Sequence, residues 1–164
     1  MAAKRKKNIL RVALTFLTVI VICWIFSNSL QNAEESSAKS GAVREFMQKI
    51  LDVLFHGKVI LSEHFVRKTA HFSEYALLGM MLYFTYRSYT SRKLFLSVPA
   101  FVAVITPFID EGLQFFSEGR TPMFGDVCID LSGAAIGMFL AGLVFYVIIK
   151  QRMRLTQKNK KSPS

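Results

Sequence analysis

Residues 4–26 read KRKKNILRVALTFLTVIVICWIF: four bases, an asparagine, then an apolar run broken only by Arg11 and the small hydroxyls of Thr15 and Thr18. At 1.5 Å per helical residue, positions 9–26 extend about 27 Å, close to the roughly 30 Å thickness of a bilayer's hydrocarbon core. The run ends in Trp24-Ile25-Phe26, aromatic residues of the kind that anchor a helix at the membrane–water interface. A secretory signal with cleavage near Ser27-Asn28-Ser29 is the competing reading. The apolar stretch is longer than a usual signal core, which favours a retained helix.

Three further apolar stretches follow, at 70–86, 94–109 and 131–149. The last matches the 17–25 residues or so that a spanning helix needs; the middle two reach that length only by including polar residues at their outer ends. With 52% hydrophobic residues and 15 Phe in 164 positions, a water-soluble domain is a poor fit. Charge placement then orients the helices. Five bases precede or enter the first stretch (Lys4, Arg5, Lys6, Lys7, Arg11), three lie between the second and third (Arg87, Arg92, Lys93), and six follow the fourth (Lys150, Arg152, Arg154, Lys158, Lys160, Lys161). If four helices cross, these fourteen of the 21 Lys and Arg share one side, and all eleven Asp and Glu fall on the other. Bases accumulate in short cytoplasmic loops, so both termini are expected in the cytoplasm, with 27–69 and 110–130 outside. The net charge of +10 therefore reads as attraction to anionic lipid, not to nucleic acid.

The expected fold is all-α: a small integral membrane bundle of four transmembrane helices with an extracytoplasmic interfacial amphipathic helix. Its parts are a basic cytoplasmic N-terminus (1–8), transmembrane helix 1 (9–26), an extracytoplasmic linker and amphipathic helix (27–66), a unit holding transmembrane helices 2–4 (67–149) and a basic cytoplasmic tail (150–164), read as disordered. Residues 27–41, rich in Ser, Asn, Ala and Glu, read as a flexible link. Over 42–55 the apolar positions Val43, Phe46, Met47, Ile50, Leu51, Leu54 and Phe55 have helical period; such a helix lies in the outer interface or covers the bundle, with Gly57 as its stop. Gly112, Gly119, Pro122 and Gly125 break 110–130 into more than one piece. Cys23 and Cys128 are expected to be free thiols.

Polar groups enter the membrane at one depth. Arg67, Lys68, His71, Glu74 and Tyr75 open the second span, and Arg67, His71 and Glu74 share a helix face. A carboxylate at Glu74's depth is costly unless paired, protonated or facing a wet cavity. Asp110, Glu111 and Gln114 close the third span, with Gln114 in reach of either acid. Asp126 and Asp130, one turn apart, open the fourth. Arg120 is the only base among five carboxylates from Asp110 to Asp130. The acids repel one another unless Arg120, the Arg67/Lys68 pair, a cation or shared protons compensate. Gly133-Ala134-Ala135-Ile136-Gly137 is a small-xxx-small pattern and reads as helix packing.

Arg67-Lys68-x-Ala70-His71-Phe72-x-Glu74-Tyr75, then Asp110-Glu111-x-x-Gln114, Gly119-Arg120 and Asp126-Val127-x-Ile129-Asp130-x-x-Gly133-x-x-x-Gly137, resemble in order and spacing the signatures of the VanZ-like membrane proteins. The resemblance implies a multi-pass protein of the bacterial cell membrane, signature residues facing outward, in a family whose founding member is associated with teicoplanin-type resistance. It carries no established reaction or substrate. The favoured expectation is a non-enzymatic pocket formed by Arg67, Lys68, His71, Glu74, Tyr75, Asp110, Glu111, Gln114, Arg120, Asp126 and Asp130. It would bind membrane lipid, a cell-wall precursor or a glycopeptide antibiotic, with Tyr75, Phe115 and Phe116 on an apolar rim and with no cofactor. The alternative is a membrane enzyme working on an envelope lipid or glycan through acid–base chemistry at His71, Glu74, Asp110 or Glu111. No established metal spacing is present; Asp110, Glu111, Asp126 and Asp130, with His71 nearby, are the weak candidates for a hard cation. The sequence does not set the oligomeric state.

Overall fold

A computed structural model describes residues 1–56, 58, 60–90 and 97–161. The described residues form five helices and no strand: α1 (Ala2–Ser29), α2 (Ala33–Phe55), α3 (Glu63–Tyr89), α4 (Ser97–Gln114) and α5 (Phe124–Lys161). Gly57, the expected stop of the amphipathic helix, lies outside the described residues, as do Arg92, Lys93 and the first residues of the expected third span. His56 adopts the left-handed conformation that ends α2 (φ 55°).

The middle of the fold is α3, which packs along most of α5 and also touches α1, α2 and α4. Small residues permit this. A Cβ on Gly133 would collide with the Phe72 carbonyl, one on Gly137 with the Ala76 carbonyl, and one on Gly79 with the Ala134 carbonyl. Backbones this close need glycine. The buried core is a thin column of Ile25, Tyr75, Leu78, Leu82, Ala103 and Ala134, drawn from α1, α3, α4 and α5.

Most large apolar side chains point outward: Phe16, Phe101 and Phe139 are 64%, 66% and 70% exposed. A surface of this kind is untenable in water and natural in hydrocarbon. Lys4–Ser29 and Phe124–Arg154 are long and apolar enough to cross a bilayer. The chain is a membrane protein.

Three expectations are corrected. Residues 27–41 are not a flexible link: 27–29 finish α1, and α2 starts at Ala33. The Asn32 side chain accepts from the Glu35 amide at 2.8 Å, and Glu34 and Glu35 occupy the positive end of the helix, so cap and macrodipole both favour an early start. The tail does not lose its helix at the end of the apolar run, since α5 extends to Lys161; Lys, Arg, Gln, Met and Leu are all good helix formers. Finally, α2 does not cover the bundle with its apolar face. Ser36 is buried and Ser37, Ser40, Gly41, Arg44 and Gln48 are half-buried, whereas Val43, Phe46, Ile50, Val53 and Leu54 are exposed. Its small and polar side packs inward, and its apolar side faces out.

Candidate functional site

The Ser62 hydroxyl accepts from the Phe65 amide at 3.1 Å and starts α3 just before Arg67, Lys68, His71, Glu74 and Tyr75. The last turns of α4 carry Asp110, Glu111 and Gln114, and the first turns of α5 carry Asp126 and Asp130. Arg120 lies on the connection between them, over residues 115–123. That connection is tied down just before Arg120. The Ser117 hydroxyl donates to the Ser29 carbonyl at 2.8 Å, and the Ala33 amide donates to the Glu118 carbonyl at 3.1 Å. Gly119 supplies the left-handed turn (φ 74°) that only glycine adopts freely. All eleven residues expected from sequence thus converge on one end of the bundle.

They fall into two groups. One lines a cavity of about 280 Å³ between α1, α2, α3 and the connection: Arg67, His71, Glu74 and Arg120, together with Asn28 and Lys39. A neighbouring cleft of about 230 Å³ shares Arg67, His71 and Arg120 and adds Gln114 and Asp126. Neither Arg67 nor Arg120 makes an ion pair with any described residue. Burial, with the nearby Arg67 guanidinium, lowers the pKa of Arg120 from its ordinary value, yet a guanidinium stays charged at neutral pH. Two guanidiniums without a contact ion pair among the described residues therefore face one space.

The other group is buried. Asp110, Asp130 and Tyr75 have 0%, 1% and 0% of their surface exposed. The Tyr75 phenol and Ser29 hydroxyl lie beside Asp110 without reaching ordinary hydrogen-bond geometry. His71 Nδ1 is 3.7 Å from Asp130 Oδ1. Ligand atoms of His71, Asp110 and Asp130 all lie within 4.8 Å of one another. The remaining acids have partners: Glu74 accepts from the Asn28 amide at 3.0 Å, Glu111 accepts from Gln114 at 3.2 Å and from the Met123 backbone amide, and Asp126 pairs with Lys68 at 3.5 Å.

Several details depart from the sequence reading. Arg120 offsets Asp110, Glu111 and Glu74 from a distance without pairing with any of them, and the site acid in contact with a Lys or Arg is Asp126, held by Lys68. Tyr75 is no rim residue but part of the core, and Phe115 and Phe116, 76% and 82% exposed, are not among the residues lining the cavity. Glu111 and Asp126 are drawn to other partners, so His71 with Asp110 and Asp130 is the set whose geometry suits a cation. Asn28, Ser29 and Lys39 join the site unforeseen. Asn28 and Ser29 were legible only as polar residues ending an apolar span, and Lys39 was hidden in what looked like a link. Cys23 and Cys128 are free and exposed.

No curated protein and no solved structure matches the chain. A family model described as VanZ/LLP1 matches residues 14–148, from the first helix through the last apolar span. The chain belongs to the VanZ/LLP1 family.

Proposed function

We propose that this protein crosses the bacterial cell membrane four times, through α1, α3, α4 and α5, with both termini in the cytoplasm. The cavity then opens at the outer leaflet and binds an amphiphile bearing a phosphate or carboxylate: an envelope lipid, a cell-wall precursor or a lipoglycopeptide antibiotic. Through that binding it contributes to teicoplanin-type resistance. The observation that carries this reading is the pair of unpaired guanidiniums, Arg67 and Arg120, on one cavity. Guanidinium matches phosphate and carboxylate oxygens bidentately, and two half-buried guanidiniums lining one cavity favour a bound anion between them. Lys39 on the same wall adds a third positive charge. The apolar face of α2, turned outward beside the cavity, suits contact with acyl chains.

The test is the antibiotic sensitivity of cells carrying wild type, Arg120→Gln or no protein, with membrane levels matched. Arg120→Gln is expected to behave like the deletion. Wild-type resistance in that variant would remove the pocket from the account.

A second reading keeps the cavity and adds catalysis, because His71 and Glu74, three residues apart on α3, both line it and offer an acid and a base to one bound molecule. Turnover of an envelope lipid or glycan by purified protein, abolished by Glu74→Gln, would favour it over binding alone.

A further inference from the structure

Asp110 and Asp130 stand apart from the other acids of the site. Both are almost fully buried, and none of their four carboxylate oxygens has a hydrogen-bond partner among the described residues. His71 Nδ1 is likewise buried without one. Two ionised carboxylates at this depth are strongly destabilising unless positive charge sits between them. No Lys or Arg sits in contact with either acid among the described residues: Lys68 is engaged by Asp126, and Arg120 acts on Asp110 only from beyond ion-pair distance.

We propose that His71, Asp110 and Asp130 form a binding site for one divalent metal ion, set at the floor of the cavity. Three helices each contribute one ligand: α3 an imidazole nitrogen, α4 and α5 a carboxylate oxygen each. Ligand atoms about 2.0–2.2 Å from a common ion are roughly 3–4 Å apart; the observed separations, 3.7 Å for His71 to Asp130 and at most 4.8 Å within the set, need only a small inward closure. One imidazole with two carboxylates favours a zinc- or manganese-type ion over magnesium or calcium, which take oxygen alone. The Tyr75 phenol and Ser29 hydroxyl beside Asp110 are placed to orient that carboxylate. Because neither arginine is among the ligands, the inference does not depend on what the cavity binds.

The experiment uses the full chain in detergent, dialysed against a chelator and reloaded with Zn²⁺ or Mn²⁺. About one ion per chain is expected, with affinity at least roughly tenfold weaker in Asp110→Asn, Asp130→Asn and His71→Gln, since loss of even an outer-shell partner costs that much. Arg120→Gln is expected to keep the ion while losing anion binding, which separates failure of this site from failure of the pocket. Should the three variants misfold, nitrogen hyperfine coupling in the Mn²⁺ resonance of the wild type reports the His71 contact directly. Substoichiometric uptake, affinity unchanged by all three substitutions, or an ion without nitrogen coupling would overturn the proposal.

Discussion

Arg120 follows Ser117 and Glu118, which are fastened to Ser29 and Ala33, and its side chain lines the cavity. A charge-assisted hydrogen bond contributes about 1.5–3 kcal/mol, so Arg120→Gln or Arg67→Gln should weaken binding of an anionic amphiphile by about tenfold or more. Arg120→Lys should recover only part of that, because an ammonium presents a point charge and no fork; titration of phosphatidylglycerol into nanodisc-embedded protein measures both. Glu74 plays a different part. Glu74→Gln keeps an acceptor for the Asn28 amide and should leave thermal stability nearly unchanged. Glu74→Leu strands that amide and should cost about 1–3 kcal/mol, read as a fall in melting temperature. At this scale, sequence spacing correctly put Arg67, His71 and Glu74 on one face, because helical period is local. The choice of partner was not local: whether Gln114 bonded Asp110 or Glu111, and whether Arg120 or Lys68 met Asp126, depended on how the helix ends met.

Between elements, the α3–α5 contact has the closest approach. Gly137→Val would force a branched side chain against the Ala76 carbonyl. Overpacking of this kind typically costs about 1–3 kcal/mol, and here the obstacle is backbone, so the upper end is expected. A lower melting temperature in detergent, with Gly112→Ala as a control in open space, measures it. The glycine pattern was readable because small-xxx-small spacing states its own purpose. The start of α2 was not: Ser, Asn and Glu look like loop by composition, and only the cap by Asn32 and the docking of Ser36 against the bundle make them helix. The outward apolar face of α2 is explained in the same way. Periodicity locates a stripe but does not say whether protein or lipid covers it, and a helix beside a bilayer reverses the rule that holds in water.

For the whole molecule, the uneven distribution of charge is what turns a helical bundle into an oriented one. The basic N-terminus and the basic end of α5 fall at one end, and the acids with the cavity at the other; this much followed from counting charges between apolar runs. The burial of Asp110 and Asp130 did not, since it comes from helix ends packing together. The central claim is that the arginine-lined cavity opens on the outside of the cell. Its most direct measurement is thiol labelling in intact cells by a membrane-impermeant maleimide, in a Cys23→Ser/Cys128→Ser background. Lys39→Cys at the cavity wall should label without permeabilisation, and Lys6→Cys near the N-terminus only after it. Labelling of Lys6→Cys in intact cells, with Lys39→Cys protected until the membrane is opened, would contradict the account.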